Sequence, residues 1–257
     1  MSIIIRYARQ DEAPQIADLI IEAMNRDCCA WFYGEGHTLD EWRRFLITLI
    51  QAKDTQHSYL NTLVAIPTDS PTNLTNDTTG QDNNAKEQTN DTLGQTNNTS
   101  ELTNGTPIQP TVSFDLNQNC NEVGKEPQNL SKPSFIAGVL VSYDGAQLHS
   151  LREPFFRGVK QWFGRDVSSI PDETAAGELY YDSLAVHPLY RHQGIATALL
   201  RAGIMRAQAL GIDKVGLLVD KGNPRAERLY RQVGFRQEGE NQWGGHPMLH
   251  LTHPAIL

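Results

Sequence analysis

The pattern of apolar and polar positions sorts the chain into strands, helices and one long stretch with neither period. Residues 3–7 (IIIRY) read as a short strand. Residues 59–66 (YLNTLVAI) and 135–143 (FIAGVLVSY) read as two more, closed by Pro67 and by Asp144-Gly145. Asp11, a capping residue type, precedes a helical face of Ile16, Leu19, Ile20 and Ala23. A second helix is predicted from Leu39, with Trp42, Phe45, Leu46, Leu49 and Ile50 on one side, and a third carries Leu151, Phe155, Val159 and Trp162. Between the first two helices, residues 28–34 (CCAWFYG) are apolar without a period.

The densest signal begins at Glu178. Residues 178–186 (ELYYDSLAV) form a strand stopped by His187-Pro188, and the hexapeptide RHQGIA starts at Arg191. Ile195, Ala198, Leu199, Ala202, Met205 and Ala209 then mark a helix ending before Gly211, and residues 214–219 are the next strand. A strand, helix, strand unit of this kind implies two parallel strands joined by a right-handed crossover. His246, Met248 and His250 alternate along a final strand.

Residues 67–133 have no such pattern. They hold no Trp or Tyr and a single Phe, Phe114, and three related heptapeptides (TNDTTGQ, TNDTLGQ, TNGTPIQ) start at Thr75, Thr89 and Thr103, 14 residues apart. So short and polar a repeat has no apolar surface with which to build a solenoid core. Nor does it offset the backbone entropy of ordering, about 1–2 kcal/mol per residue. The expectation is a disordered Asn/Thr-rich low-complexity insertion over 67–133 in place of a hairpin turn between two neighbouring strands. Residues 1–66 and 134–257 then form a single domain. Loop-closure entropy grows only logarithmically with length, so the fold tolerates the expansion.

Charge and cysteine usage narrow the partners. The stretch from Pro67 to Ser134 carries nine acids and three lysines, so most of the formal net charge of −8 sits there and the remainder is near neutral. Without a basic stripe, nucleic acid is not expected as a partner. No apolar run approaches the roughly 18 residues of a membrane span, so no membrane partner is expected either. Cys28, Cys29 and Cys120 make no disulfide framework and no CxxC pair. A reducing, cytoplasmic setting follows. His246, His250 and His253 are interrupted by Pro247 and Pro254 and have no Cys or carboxylate to complete a set, so no metal site is expected.

RHQGIA sits where a strand hands over to a helix. The first N–H groups of a helix lack intrahelical partners and the macrodipole is positive there, while Gly194 lets a ligand approach the backbone. That is an anion site, suited to phosphate or pyrophosphate. The P-loop pattern GxxxxGK[ST] and the dinucleotide pattern GxGxxG are both absent. What remains, R/Q-x-x-G-x-G/A between strand and helix, resembles the acetyl-CoA loop of the GNAT superfamily of N-acetyltransferases. Residues 223–235 (NPRAERLYRQVGF) match that superfamily's NxxAxxLYxxxGF motif at every specified position. Locally, Asn223 is a good N-cap, Pro224 suits the first helical position and Gly234 suits the stop. The resemblance is strong from Glu178 to about Thr252 and extends to the first strand and two helices in order and length.

The resemblance implies an α/β (α+β) fold: a mixed, strongly twisted sheet with helices on both faces and a central splayed parallel strand pair, here ending near Val186 and Val219. It implies acetyl-CoA as cosubstrate, with pantetheine along the backbone of Leu184, Ala185 and Val186. Pyrophosphate would lie on the amides of His192, Gln193, Gly194, Ile195, Ala196 and Thr197, with a side-chain contact from Arg191 and with Asn223 also at the cofactor. It implies direct attack of a primary amine, on a small molecule or a peptide, in a ternary complex, with Tyr230 as the acid. Relatives that place a glutamate on the later strand find no counterpart in Leu217-Leu218-Val219. Glu178 and Asp182, which alternate with Tyr180 and Leu184 along the earlier strand, are therefore the candidate bases. A noncatalytic acyl-CoA-binding module stays open as the alternative, and a solvated or capping role remains the plainer reading of both carboxylates. Trp31, Phe32 and Tyr33 are read as core, with a wall of the acceptor pocket as the alternative. The helix at 151–163 departs from the hairpin usual in the family. It is read as a lid over the acceptor site or as an element of a homodimer.

Overall fold

Strand β5 (Gly138–Asp144) shows why the sheet lies inside: Val139 and Val141 enter one apolar cluster and Leu140 enters another. Strand β2 (Thr62–Pro67) does the same, with Val64 and Ile66 on one side and Leu63 and Ala65 on the other. A strand that is apolar on both faces needs cover on both, and helices supply it.

The computed structural model describes residues 2–24, 26–68, 112–115, 121–122 and 135–256. Residues Met1–Asp69 and Pro110–Leu257 form one unit. The remaining strands are β1 (Ser2–Tyr7), β3 (Val112–Asp115), β4 (Asn121–Glu122), β6 (Leu179–Val186), β7 (Lys214–Asp220), β8 (Arg236–Trp243) and β9 (His246–Pro254). The helices are α1 (Ala13–Met24), α2 (Arg26–Tyr33), α3 (Leu39–Gln51), α4 (Leu148–Phe163), α5 (Ile195–Ala209) and α6 (Pro224–Val233). Among the described residues the sheet runs β4-β3-β1-β2-β5-β6-β7-β9-β8, antiparallel throughout except between β6 and β7. Helices α1 to α4 cover one face and α5 and α6 the other.

Most of the expected insertion lies outside the described residues. Its flanking strands β2 and β5 do pair, Thr62 facing Val141 and Ala65 facing Gly138. Within it, β3 pairs with β1 and β4 with β3, extending the sheet by two short strands that the composition of the stretch does not announce.

Three local readings change. Asp11 does not cap α1. It lies in a 3₁₀ turn, Gln10–Glu12, and Glu12 turns inward to accept from the Arg9 amide (2.8 Å) and from Arg6 Nη1 (3.0 Å). Residues 26–33 form α2, with Cys29 and Phe32 buried and Phe32 stacked on Trp42 at 5.4 Å, while Trp31 stays 45% exposed. Helix α4 buries Phe163 where the spacing had favoured Trp162, which is 41% exposed. Its Phe155 meets Phe32 edge-on at 5.2 Å and its Phe163 packs against Trp42 at 5.7 Å, so α4 is a fixed wall of the core.

One irregularity positions the site. Val141 faces Ser183 but Ser142 faces Tyr181, so β6 carries Asp182 as an extra residue against β5. Such a bulge reverses the alternation beyond it. Leu179 and Tyr181 pack toward α5 while Tyr180 faces α4; after the bulge Leu184 and Val186 pack toward α5 and Ala185 faces α1. Leu184 therefore does not share a face with Tyr180, as strict alternation required.

Candidate active site

The parallel pair opens just past this bulge. β6 and β7 are in register only from Leu179 to Tyr181 against Val215 to Leu217. From Ser183 to Val186, β6 keeps β5 on one side and, among the described residues, has no ladder partner on the other. Leu184, Ala185 and Val186 thus line a gap between two central strands.

At the mouth of this gap the chain prepares the start of α5. His187 anchors a 3₁₀ turn (Pro188–Tyr190) through its amide to Ala137 O at 2.9 Å. Arg191, His192, Gln193 and Gly194 are exposed, and Ile195 is buried as the pin of the helix. Gly194 takes φ 83°, a left-handed conformation that strains any residue with a Cβ, and no side chain caps α5. His192 is also left-handed, at φ 64°. The first-turn amides of such a helix start lack intrahelical acceptors, as an anion site requires.

The side chains of this loop are engaged by neighbouring elements. Arg191 Nε donates to Val186 O (3.0 Å) and its Nη2 lies 2.6 Å from Glu22 Oε1 on α1. Arg191 thus joins β6 to α1, on an extended backbone (φ −66°, ψ 158°). Gln193 Nε2 donates to Leu189 O at 3.2 Å. The His192 ring and Arg225 Nη2 approach to 2.6 Å, which links the starts of α5 and α6. Asn223 caps α6 by accepting from the Ala226 amide at 3.1 Å. Ala196 and Thr197 are half-buried in the first turn of α5.

Tyr230 lies on α6, half-buried, its ring 6.0 Å from that of Phe235. Burial pushes its phenol up to about 12, so it keeps its proton at neutral pH.

The two candidate carboxylates lie in different settings. Glu178, at the closed end of the β6/β7 ladder, accepts from Thr174 Oγ1 at 2.6 Å and sits 3.0 Å from His250 Nε2. It rests on Gly216, where a Cβ would come within 2.2 Å of Glu178 Oε2. Thr174 and His250 hold it in place. Asp182, on the bulge where the strands part, accepts from Ser183 Oγ at 2.8 Å, and burial pushes it up to about 6. The only other ion-pairing group within reach in the described residues is His57, Nε2 to Oδ2 3.8 Å.

Around Asp182 the structure assembles residues that the sequence does not single out. Tyr143 donates to Glu173 Oε1 (3.0 Å), and Arg152 Nη1 donates to Glu173 Oε2 (2.9 Å). Burial, followed by the charge of Asp182, still raises the Glu173 carboxyl. His57 follows α3 in a turn without a period, Arg152 lies on α4 and Glu173 in the loop before β6. No spacing rule connects them. Among the described residues no group of three or more His, Cys, Asp or Glu is placed to hold a metal ion, and no helix is long and apolar enough to cross a membrane.

Comparison with known proteins agrees with this geometry. The Acetyltransferase (GNAT) family model matches residues 157–235, from the end of α4 to the residue before β8. A [ribosomal protein bS18]-alanine N-acetyltransferase of Haemophilus ducreyi is 42% identical over 65 residues, 25% of this chain and 45% of that protein. A mycothiol acetyltransferase of Propionibacterium freudenreichii is 36% identical over 64 residues, 25% of this chain and 20% of that one. The chain thus matches less than half the length of each of these relatives. An N-acetyltransferase structure from Staphylococcus aureus superposes with a TM-score of 0.58 at 19% identity, covering 97% of this chain and 99% of that one. The last likeness is one of fold.

Proposed function

We propose, for a chain that belongs to the GNAT superfamily of acetyltransferases, that it transfers the acetyl group of acetyl-CoA to a primary amine by direct attack in a ternary complex. The observation that carries the reading is the gap between β6 and β7, with the uncapped start of α5 at its mouth and an under-solvated carboxylate, Asp182, at its closed end. Acetyl-CoA fits as cosubstrate: the amides of His192 to Thr197 hold pyrophosphate, and the unpaired edge of Leu184, Ala185 and Val186 bonds the pantetheine amides.

The chemistry needs three services. An ammonium must lose a proton before its nitrogen attacks the thioester carbon, and a carboxyl near pH 6 is well matched to accept it at neutral pH. Asp182 takes this role in preference to Glu178, whose hydrogen bonds hold it in place. The tetrahedral oxyanion accepts from a backbone N–H of Leu184 or Val186. As the C–N bond forms and the C–S bond breaks, the departing thiolate takes the phenolic proton of Tyr230, and the second proton, shed by the attacking nitrogen as the amide forms, restores the phenol. Apolar surroundings raise the basicity of that thiolate as they raise the phenol.

The acceptor is an amine on a small molecule or a peptide, in a cytoplasmic setting. The test is release of CoA thiol from acetyl-CoA across a panel of amines, aminosugars, amino acids and peptide N-termini. Turnover with at least one amine, lost in Tyr230→Phe and in Asp182→Asn, is expected. CoA binding without turnover on any amine would instead mark a noncatalytic acyl-CoA-binding module.

A further inference from the structure

Burying an imidazole is costly, and His57 is buried to 4% exposure with its Nδ1 enclosed and, among the described residues, without a hydrogen-bond partner. Its other nitrogen, Nε2, is 3.8 Å from Asp182 Oδ2, and its ring lies 5.6 Å from that of Phe155 on α4. A ring placed for packing alone would be better served by an apolar side chain. We infer that His57 is a positioning residue for Asp182, a neutral imidazole whose Nε2–H holds the carboxylate toward the opening of the strand pair. This rests on the reading of Asp182 as the base and adds to it the group that aims it.

The surroundings of Asp182 leave His57 this task. From β6 it is faced by the Ser183 hydroxyl and by Tyr180, from β5 by Tyr143, from the loop before β6 by Glu173, whose charge Arg152 of α4 offsets, and from the turn before β2 by His57. The like charge of Glu173 opposes its ionisation, and the Ser183 hydroxyl favours it. His57 is the further polar group within reach among the described residues. Nδ1 has no acceptor to donate to, so the ring proton belongs on Nε2, where the carboxylate lies. At 3.8 Å the contact is longer than a hydrogen bond, as contacts of catalytic groups often are before substrate binds.

Neutrality is the useful property. A guanidinium or ammonium in this place would draw the carboxyl down by about 1–3 pH units and weaken it as a base. Burial instead pushes His57 down to about 4, so at the pH where Asp182 ionises the ring offers a dipole and no charge. Asp182 is oriented with a smaller loss of its affinity for a proton than a cation would impose.

The experiment is a ¹³C NMR titration of the Asp182 carboxyl in the full chain without substrate, assigned by loss of the resonance in Asp182→Asn. His57→Phe keeps a ring against Phe155 and removes the donor; His57→Asn keeps a donor on a smaller side chain. The acid dissociation constant of Asp182 is expected to fall at least fivefold in His57→Phe, the midpoint moving to higher pH, and to recover at least in part in His57→Asn. An unchanged midpoint in a folded His57→Phe, checked by its unfolding curve, overturns the inference. Should His57→Phe not fold, His57→Asn beside His57→Ala decides it, equal midpoints in the two being the overturning result. The reading of Asp182 as base stands or falls separately, on whether Asp182→Asn loses acetyl transfer.

Discussion

The guanidinium of Arg191, next to the glycine loop, reaches back to Glu22 at the end of α1, 2.6 Å away and 169 residues earlier in the chain. A basic residue beside the start of α5 thus links the first helix to the strand that lines the gap.

Arg191→Ala is therefore expected to leave CoA affinity within about threefold. Both partners are partly exposed, so the change should cost no more than about 1 kcal/mol of stability. Calorimetric titration with CoA checks the first point and urea unfolding the second. A tenfold weaker CoA complex would return Arg191 to the phosphates.

Gly194→Glu places a side chain and a negative charge where the pyrophosphate is proposed to sit, at a backbone conformation of φ 83°. CoA binding should fall below detection in calorimetry. Gly194→Ala carries the backbone strain, about 1–2 kcal/mol, without the charge. Affinity lost equally in the two variants would point to strain rather than to the anion.

Tyr230→Phe keeps the ring against Phe235 and removes the proton. Melting temperature and CoA affinity should stay near those of the parent. Turnover with an accepted amine should drop by a factor on the order of 10² to 10⁴. Steady-state rates decide the matter, and an unchanged turnover would make Tyr230 a packing residue.

Asp182 links activity to stability with opposite signs. As the base it must be ionised, so kcat/KM should decline below about pH 6, tenfold per unit. Its folded-state value lies above the ordinary 3.8, so its charge destabilises the fold at neutral pH and that cost fades as pH falls from 6 toward 4. Asp182→Asn should then be inactive yet more stable at pH 7.5, by about 1–3 kcal/mol, with the gain shrinking at pH 4.5. Urea unfolding at the two pH values, beside the pH profile of the parent, tests both halves.

Local chemistry made much of this protein legible in advance. The cap at Asn223, the proline after it and the left-handed stop at Gly234, φ 114°, act within one helix and need nothing distant. The doubly apolar strands β2 and β5 likewise state their burial residue by residue. Helix α2 escaped because Cys28, Cys29, Ala30, Trp31, Phe32 and Tyr33 are apolar on every side, and a period cannot be read where polar residues are missing. Only the tertiary structure could decide the rest. The extra residue at Asp182 is defined against β5, some 40 positions earlier in the chain, and its effect is to cancel the period-two rule from which side-chain direction is otherwise inferred. His57, Glu173 and Arg152 meet Asp182 across loops and helices with no common spacing. Whether a carboxylate is held by donors like Glu178 or left under-solvated like Asp182 depends on which groups fold against it, and that is a property of the packed chain rather than of the residue.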